Sequence, residues 1–494
     1  MTRRQAGGER MAKGRTVFQR WIMAMLLASG LLAWGQAPAE PFLVKPYLQL
    51  GAVPALDALS LLWHAADQDA AWSVILRPAG QGGQVLELRP TWVRVAVPSL
   101  DPHRVYTALL RPLRPGAAFS YQVMRDGQPV FQGAAKARQG AGSPSRVAVL
   151  GDLATAGPAT RAIASQLYKQ RPDLVVVPGD IVYEDGRISE YRRNFFPVYN
   201  ADQDGPALGA PLLRGTLFVG ALGNHDVGER GPRFPYTKEP DGLAYYLYWD
   251  QPLNGPALQP EGPHAPPLVP GPAWTWQGFL AAAGRRFPTM GNFSFDAGDA
   301  HWTVLDSNTY ARWEAPALRD WLERDLRQAR GAAWRFVVFH HPAFNLAEGN
   351  RYVDQWMSRI WPVLVRNRVD LAFTGHIHTY VRTQPIRFTP DPASLARLDP
   401  RTQQGDVQGR LAWDRRFDGR RRTRARGVIQ IITGAGGANL HLKGRAAQFR
   451  PKPYVACTVL DENSFSLLEL QGRKLVFRQL GDQGEELDRF TLTK

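Results

Sequence analysis

The sequence predicts an α/β protein, a four-layer α/β/β/α sandwich preceded by an all-β sandwich. Two observations predict the larger part. Five apolar runs, Arg146–Asp152, Leu174–Tyr183, Leu217–Asp226, Arg335–His341 and Asp370–His378, each end in polar groups, usually just after a glycine. Amphipathic stretches of helical period separate several of them, so helix feeds strand. A third observation predicts the smaller part. Residues 40–140 break into short strand-like pieces such as SLLWHA, WSVILRP and FSYQVMRDG, parted by polar or Gly/Pro turns.

The first 39 residues hold six Lys/Arg against one acidic residue, and Ile22–Trp34 is a mostly apolar run followed by Gly-Gln-Ala-Pro-Ala. A basic head, short apolar centre and small-residue end read as a secretory signal over 1–39, cleaved after Ala39. The run is short for a bilayer span. The expected location is secreted or periplasmic, and membrane-anchored if the segment stays uncleaved. No cysteine near that site indicates a lipid anchor. Cys457 is the single cysteine, set in the alternating segment YVACTVL; it reads as a buried strand residue, and no intrachain disulfide can form.

With 494 residues and 44 % hydrophobic composition, the chain can fill a large core and more than one domain. The net charge of +16 falls to about +11 beyond residue 39, with 54 basic against 43 acidic side chains. Much of the excess lies in Arg410–Arg426, which includes GRRRTRAR. That run is either an anion-steering surface or a solvated loop. Lacking a groove-reading motif or interleaved aromatic platform, the chain shows no specific nucleic-acid partner.

The elements follow in order. Residues 40–140 form the all-β module, with Asp126-Gly127 as a hairpin turn, and residues 141–145 are the linker. Residues 146–494 form the main domain. Leu174–Val177, β-branched and without polar alternation, suits a central strand covered on both faces. Gly179 then turns the chain and leaves Asp180 at the carboxyl edge, where open α/β sheets gather their chemistry. Pro158–Gln170 predicts a helix, Asn194–Leu213 an irregular polar stretch, and Asp241–Met290 a long aromatic-lined loop at the mouth of the site. Asn292–Ser307 resumes strands. Pro316–Arg327 is a helix with Leu318, Trp321, Leu322 and Leu326 on one face, and Glu323–Arg327 is an i,i+4 ion pair. Tyr352–Asn367 is a further helix, Pro385–Arg426 an excursion, and the last runs are closing strands.

The strand-end residues match the needs of two neighbouring cations, which want hard oxygens, imidazoles and one shared ligand. Asp152, Asp180, Asn224, His340, His376 and His378 fit that inventory, with Tyr183 as a phenolate candidate. After a glycine-led turn, His376 and His378 can divide between adjacent metals. A phenolate suits a hard trivalent ion; imidazole and amide suit a borderline divalent one.

These blocks, Gly151-Asp152-Leu153-Ala154, Gly179-Asp180-Ile181-Val182-Tyr183, Gly223-Asn224-His225-Asp226, the run ending at His340, and Gly375-His376-Ile377-His378, resemble those of the purple acid phosphatases and the wider calcineurin-like metallophosphoesterases. The resemblance covers about 40–494, because the family commonly places a fibronectin type III-like module first, and KPYLQL at Lys45–Leu50 matches its usual beginning. It implies that Asp152, Tyr183 and His378 hold a ferric-type ion. Asn224, His340 and His376 would hold a second ion, Zn(2+), Fe(2+) or Mn(2+), with Asp180 bridging both. The implied activity is phosphomonoester hydrolysis of small phosphorylated substrates by in-line attack of a metal-bound hydroxide. His225 would contact phosphate and assist the leaving group. Asp226 is expected to pair with His225, and His341 to orient its loop or meet solvent. His301 and Asp306 sit at plausible supporting positions, with ordinary strand and turn residues as the equal alternative. Two departures stand out: GDxG has become GDLA, and where plant-type relatives carry a His pair this chain has Ala347–Arg351, with Arg351 as a substitute charge. Competing readings are a phosphodiester or nucleotide hydrolase on the same centre, or a catalytically weak extracellular protein binding polyanions or carbohydrate.

Overall fold

The computed structural model describes residues 40–494 apart from 80–83, 99, 156, 230–240, 259–264, 269–273, 345, 347–354, 446 and 448. The expected signal over 1–39 and the candidate Arg351 lie outside the described residues. Among the described residues no helix is long and apolar enough to cross a membrane.

Apolar strand runs build two face-to-face sheets. In the first, Leu217–Gly220, Leu174–Val177 and Ser145–Val149 run parallel, and Ser464–Gln471, Lys474–Gly481 and Glu486–Thr493 extend the sheet antiparallel. Leu174 stands opposite both Leu217 and Val147, which fixes the register. In the second sheet, Ala300–Val304, Trp334–Val338, Leu371–Thr374 and Ile429–Thr433 run parallel, flanked by antiparallel edges. Alternation divides each strand between two cores. Val147, Val176 and Val219 meet Trp302, Phe336, Phe373 and Ile431 between the sheets. Ala148, Val175 and Val177 face outward onto Ile163, Ala164 and Leu167 of helix Pro158–Lys169. On the far side, helix Pro316–Gln328 buries Leu318, Trp321, Leu322 and Leu326, each worth about 1.5–3 kcal/mol. This is the expected α/β/β/α order.

Ahead of it, two antiparallel four-stranded sheets cover Val44–Lys136. Trp63 stacks on Tyr106 at 5.3 Å and meets Trp72 of the facing sheet at 5.6 Å. Asp126 and Gly127 have φ of 50° and 77°, the left-handed pair that a two-residue hairpin needs. A buried polar seam joins these sheets to the rest of residues 41–494. Tyr47 donates to the Tyr248 carbonyl at 2.7 Å and lies 2.9 Å from His64 Nε2, while the Tyr248 hydroxyl lies 2.9 Å from His103 Nε2.

Several local expectations need correction. Asn194–Leu213 is ordered: it holds the end of a π-helical turn, the short helix Phe196–Tyr199 and the hairpin Asn200–Gly205/Gly209–Pro211. Its apolar residues Phe195, Phe196, Val198 and Tyr199 are buried, and they override the polar ones between them. Most described aromatics of 241–290 are core rather than mouth. Tyr245, Tyr246, Tyr248 and Trp249 are buried, and helix Trp274–Ala283 lies on Thr91–Val95 of the β module. Of the predicted helix over 352–367, residues 352–354 lie outside the described residues, and the rest holds a 3₁₀ turn at Trp356–Ile360 and helix Trp361–Arg366. Glu323 binds Arg366 and Asn367, at 2.9 Å each, in place of the expected Arg327 partner. Cys457 is half-buried. The excursion carries its own hairpin, Ile386–Pro390 with Gly409–Trp413.

His301 is also misplaced by the sequence reading. It stands near the start of its strand, away from the strand ends that carry the site, with Nδ1 2.8 Å from Asp296 and Nε2 3.1 Å from Asp325. Burial opposes its charge, yet the two carboxylates raise its pKa to about 9. A raised value means stabilisation complete below pH 6.5 and lost as pH climbs through about 9. His301→Leu should therefore destabilise the protein by about 1–3 kcal/mol at pH 6 in urea unfolding, with the gap closing toward pH 10. A pH-independent gap would remove this ion pair from the account.

Candidate metal centre

Five parallel strands of the two sheets end in tight turns that carry polar groups to one cleft. Ser145–Val149 leads to Asp152, Leu174–Val177 to Asp180 and Tyr183, and Leu217–Gly220 to Asn224 and His225. From the other sheet, Trp334–Val338 leads to His340 and His341, and Leu371–Thr374 to His376 and His378. The turns are tight enough that Asp152, Asp180 and His376 take left-handed φ of 61°, 51° and 69°. Such strain concentrates at functional positions. Backbone bonds stitch the sheets together here: Gly151 N–H donates to Thr433 O at 2.9 Å, and Gly436 N–H to Gly151 O at 3.1 Å.

Two glycines make room for this crowding. Gly179 has a φ of 94°, and a Cβ there would sit 2.6 Å from His340 Nδ1. A Cβ on Gly223 would come within 2.1 Å of Asp180 Oδ1. Ala154, which replaces the expected glycine of the first block, is buried and bridges to Val182 without displacing Asp152.

The converging atoms form two cups. In one, the Tyr183 hydroxyl lies 3.2 Å from Asp152 Oδ1, 3.2 Å from Asp180 Oδ2 and 3.0 Å from His378 Nε2. In the other, Asn224 Oδ1 lies 3.0 Å from His340 Nε2 and 3.0 Å from His376 Nδ1. Asp180 Oδ2 reaches into both, 3.3 Å from His340 Nε2. Asp152, Asp180 and His378 thus group their ligand atoms within 4.8 Å, as do His340, His341 and His376.

The hydrogen bonds behind these groups decide what faces inward. His340 Nδ1 donates to the Pro178 carbonyl at 2.9 Å, and His378 Nδ1 to the Asn439 carbonyl at 2.7 Å, so both Nε2 atoms present lone pairs. The Asn224 amide nitrogen donates to Glu229 O at 2.9 Å, which turns its oxygen inward. Acceptors therefore face acceptors, and the donor set fits cations. The titrations agree. Burial opposes charge on His340, but Asp180 raises its pKa to about 9; burial opposes His378 too, and Asp152 raises it. Against burial, His340 and His225 hold Asp180 far below the usual carboxylate range. Burial and both carboxylates push Tyr183 well up.

The remaining candidates divide. His225 rests its Nδ1 2.8 Å from Glu184 O and packs its ring 4.5 Å from that of Tyr183, partly open to solvent. Asp226 does not pair with it. The Asp226 carboxylate is fully buried and accepts Gly223 N–H at 2.8 Å and Ile181 N–H at 3.0 Å, strapping two site turns together. His341 is buried rather than solvent-facing, 3.0 Å from Ser307 Oγ and 4.6 Å from the His376 ring; burial and its imidazole neighbours push its pKa well down. Asp306 lies a layer behind, accepting from Tyr310 at 2.6 Å and Asn308 at 2.9 Å, and burial lifts its pKa to about 6.

Three residues went unremarked in the sequence. Ser307 Oγ accepts the backbone N–H of both His340 and His341 at 3.0 Å. Asn439 fixes the His378 tautomer. His441 stacks on His378 at 3.8 Å and accepts its backbone N–H at 3.3 Å; burial and that neighbour lower its pKa to about 4. The GAGG run before Asn439 and His441 was the one signal for that pair.

Residues 145–380 match the calcineurin-like phosphoesterase family. The chain carries a calcineurin-like metallophosphoesterase domain. This domain is related to purple acid phosphatases. The chain is 33 % identical to purple acid phosphatase 18 of Arabidopsis thaliana over 98 residues, 19 % of this chain and 22 % of that one. It is 26 % identical to purple acid phosphatase 21 of the same plant over 247 residues, 49 % and 46 % of the two chains. It thus spans less than half the length of either relative. The fold is similar to that of a purple acid phosphatase from yellow lupin (Lupinus luteus) seeds, with a TM-score of 0.59 at 16 % identity, covering 91 % of this chain and 74 % of that one. The phosphoesterase match ends at Tyr380, so Asn439 and His441 lie outside it.

Because Asp180 touches both cups, Asp180→Asn should lower the bound metal of the phosphoesterase domain from two ions per chain to one or none by elemental analysis. Two tightly held ions in the variant would exclude a shared ligand.

Proposed function

We propose that this protein hydrolyses phosphomonoesters outside the cytoplasm with a pair of metal ions. The observation that carries the reading is the sharing of Asp180 between two cups of inward lone pairs. In this reading Asp152, Tyr183 and His378 hold one ion, Asn224, His340 and His376 hold the other, and Asp180 bridges. When bound, the two cations neutralise phosphoryl oxygens and ready a water for attack on phosphorus. A phenolate ligand favours Fe(3+) in the first cup, beside Zn(2+), Fe(2+) or Mn(2+) in the second. A visible absorption band from the purified protein is the measure of that phenolate bond.

The chain's own groups would then bind and protonate. His225, partly exposed and anchored on the Glu184 carbonyl, lies beside Tyr183 where a phosphate ester would enter. It donates to the ester and passes a proton to the departing alkoxide. Asp226 holds the turn that carries it, and His341 braces His376. The basic head and short apolar run of residues 1–39 support export by a signal, and the antiparallel sheets of Val44–Lys136 support a fibronectin-like module ahead of a catalytic domain over 146–494.

Chelation should abolish hydrolysis of an aryl monophosphate, and restored metal should return it. His225→Ala should lower kcat by roughly 10²–10⁴ for alkyl monophosphates, and much less for esters of acidic phenols. Equal losses across leaving groups would deny His225 the proton transfer. Faster turnover of aryl phosphodiesters than monoesters would replace the monoesterase reading.

A further inference from the structure

The seven-stranded sheet has a second polar end. At their beginnings, Trp334–Val338, Leu371–Thr374 and Ile429–Thr433 frame a cavity of about 890 Å³. Arg335 in this cavity and His340 in the metal centre are five residues apart on one run, roughly 16 Å along an extended chain. The cavity belongs to the opposite edge of the sheet.

Eight Arg or Lys side chains line it, against one side-chain carboxylate, and Arg473 Nε donates to the main-chain oxygen of Lys494 at 3.2 Å. Arg330 and Arg335 come from the turn and strand start before the metal-centre histidines, Arg368 from the next turn, and Arg387 from the excursion hairpin. Arg424 and Arg426 come from the GRRRTRAR run, which the metal centre leaves unexplained. That side-chain carboxylate, Asp370, is already engaged. It accepts the Arg335 backbone N–H at 3.0 Å and Lys494 Nζ at 2.8 Å. Arg330, Arg368, Arg387 and Arg424 are exposed, and their guanidinium groups have no acceptor among the described residues. Arg335 is 7 % exposed, and its Nε is buried without a hydrogen-bond partner.

We propose that this cavity is a second anion site, for a compact anion bearing several phosphate groups. Guanidinium forks match phosphate oxygens in pairs, and the volume suits a small molecule. A nucleic acid fits poorly. The one tryptophan in the lining, Trp334, is buried with Lys494 Nζ 4.9 Å from its ring centroid, so it offers no stacking platform for bases.

The test is calorimetric titration of the full metal-loaded protein with methylene-bridged triphosphate, which resists hydrolysis, at about 0.1 M salt where long-range charge is screened. Two probe molecules per chain are expected, one at each site. Replacing Arg368, Arg387 and Arg424 together by Gln should weaken the second by roughly tenfold or more, with kcat/KM for an aryl monophosphate unchanged. A control, Arg410, Arg420 and Arg421 to Gln, removes equal charge elsewhere and should bind as the parent does. One probe per parent chain, undiminished binding in the first variant, or equal loss in the control would each overturn the proposal. So would tighter binding of a single-stranded oligonucleotide with the same variant dependence.

Discussion

Lone pairs that face one another at 3.0–3.3 Å in a buried cleft are the constraint on which this structure turns. Asp152 and Asp180 share one phenol hydroxyl, which has a single proton to give. At an effective dielectric of 20, two such charges about 4 Å apart repel by about 4 kcal/mol. His340 and His378 cannot relieve this while neutral, because carbonyls behind them claim the Nδ1 protons. Only positive charge between the groups settles the arrangement. The raised pKa values of both imidazoles express the same demand through protons.

The fold meets that demand by opposing two parallel-stranded sheets. Each sheet alone supplies half of the converging donor atoms: oxygens of Asp152, Asp180, Tyr183 and Asn224 from one, imidazoles of His340, His376 and His378 from the other. The left-handed turns at Asp152, Asp180 and His376 are unfavourable by themselves. They are held by straps such as Asp226 and Ser307, and by a core between the sheets in which Trp302, Phe336 and Phe373 lie against the valines of the first sheet. Rigidity at the strand ends is thus derived from packing at the strand centres. The strand beginnings carry a different charge, an arginine-lined cavity that shares the scaffold and none of the ligands.

Much of this was legible because the ligands sit directly behind their strands. An apolar run of four or five residues followed by Gly-Asp or Gly-His marks both the strand and its exit, so Asp152, Asp180, Asn224, His376 and the parallel order could be read along the chain. Supporting residues obey no such spacing. Asp226 looked like a partner for the neighbouring His225, but the turn sends its carboxylate inward to two backbone N–H groups. His301 shares a segment with Asp306, yet the two lie toward opposite ends of a five-residue strand. Asn439 and His441 reach His378 from some 60 residues away in sequence, a closure that only the sheet order reveals. The aromatics of 241–290 carry no period that separates a lining from a core, and tertiary packing made them core.

Two cations meeting across Asp180 would hold the two cups together, and anomalous diffraction from crystals of the metal-loaded protein addresses that directly. Two peaks roughly 3.5–4 Å apart are expected, one within reach of Asp152, Tyr183 and His378, the other of Asn224, His340 and His376, with Asp180 touching both. A single peak, or two peaks that do not share Asp180, would contradict it.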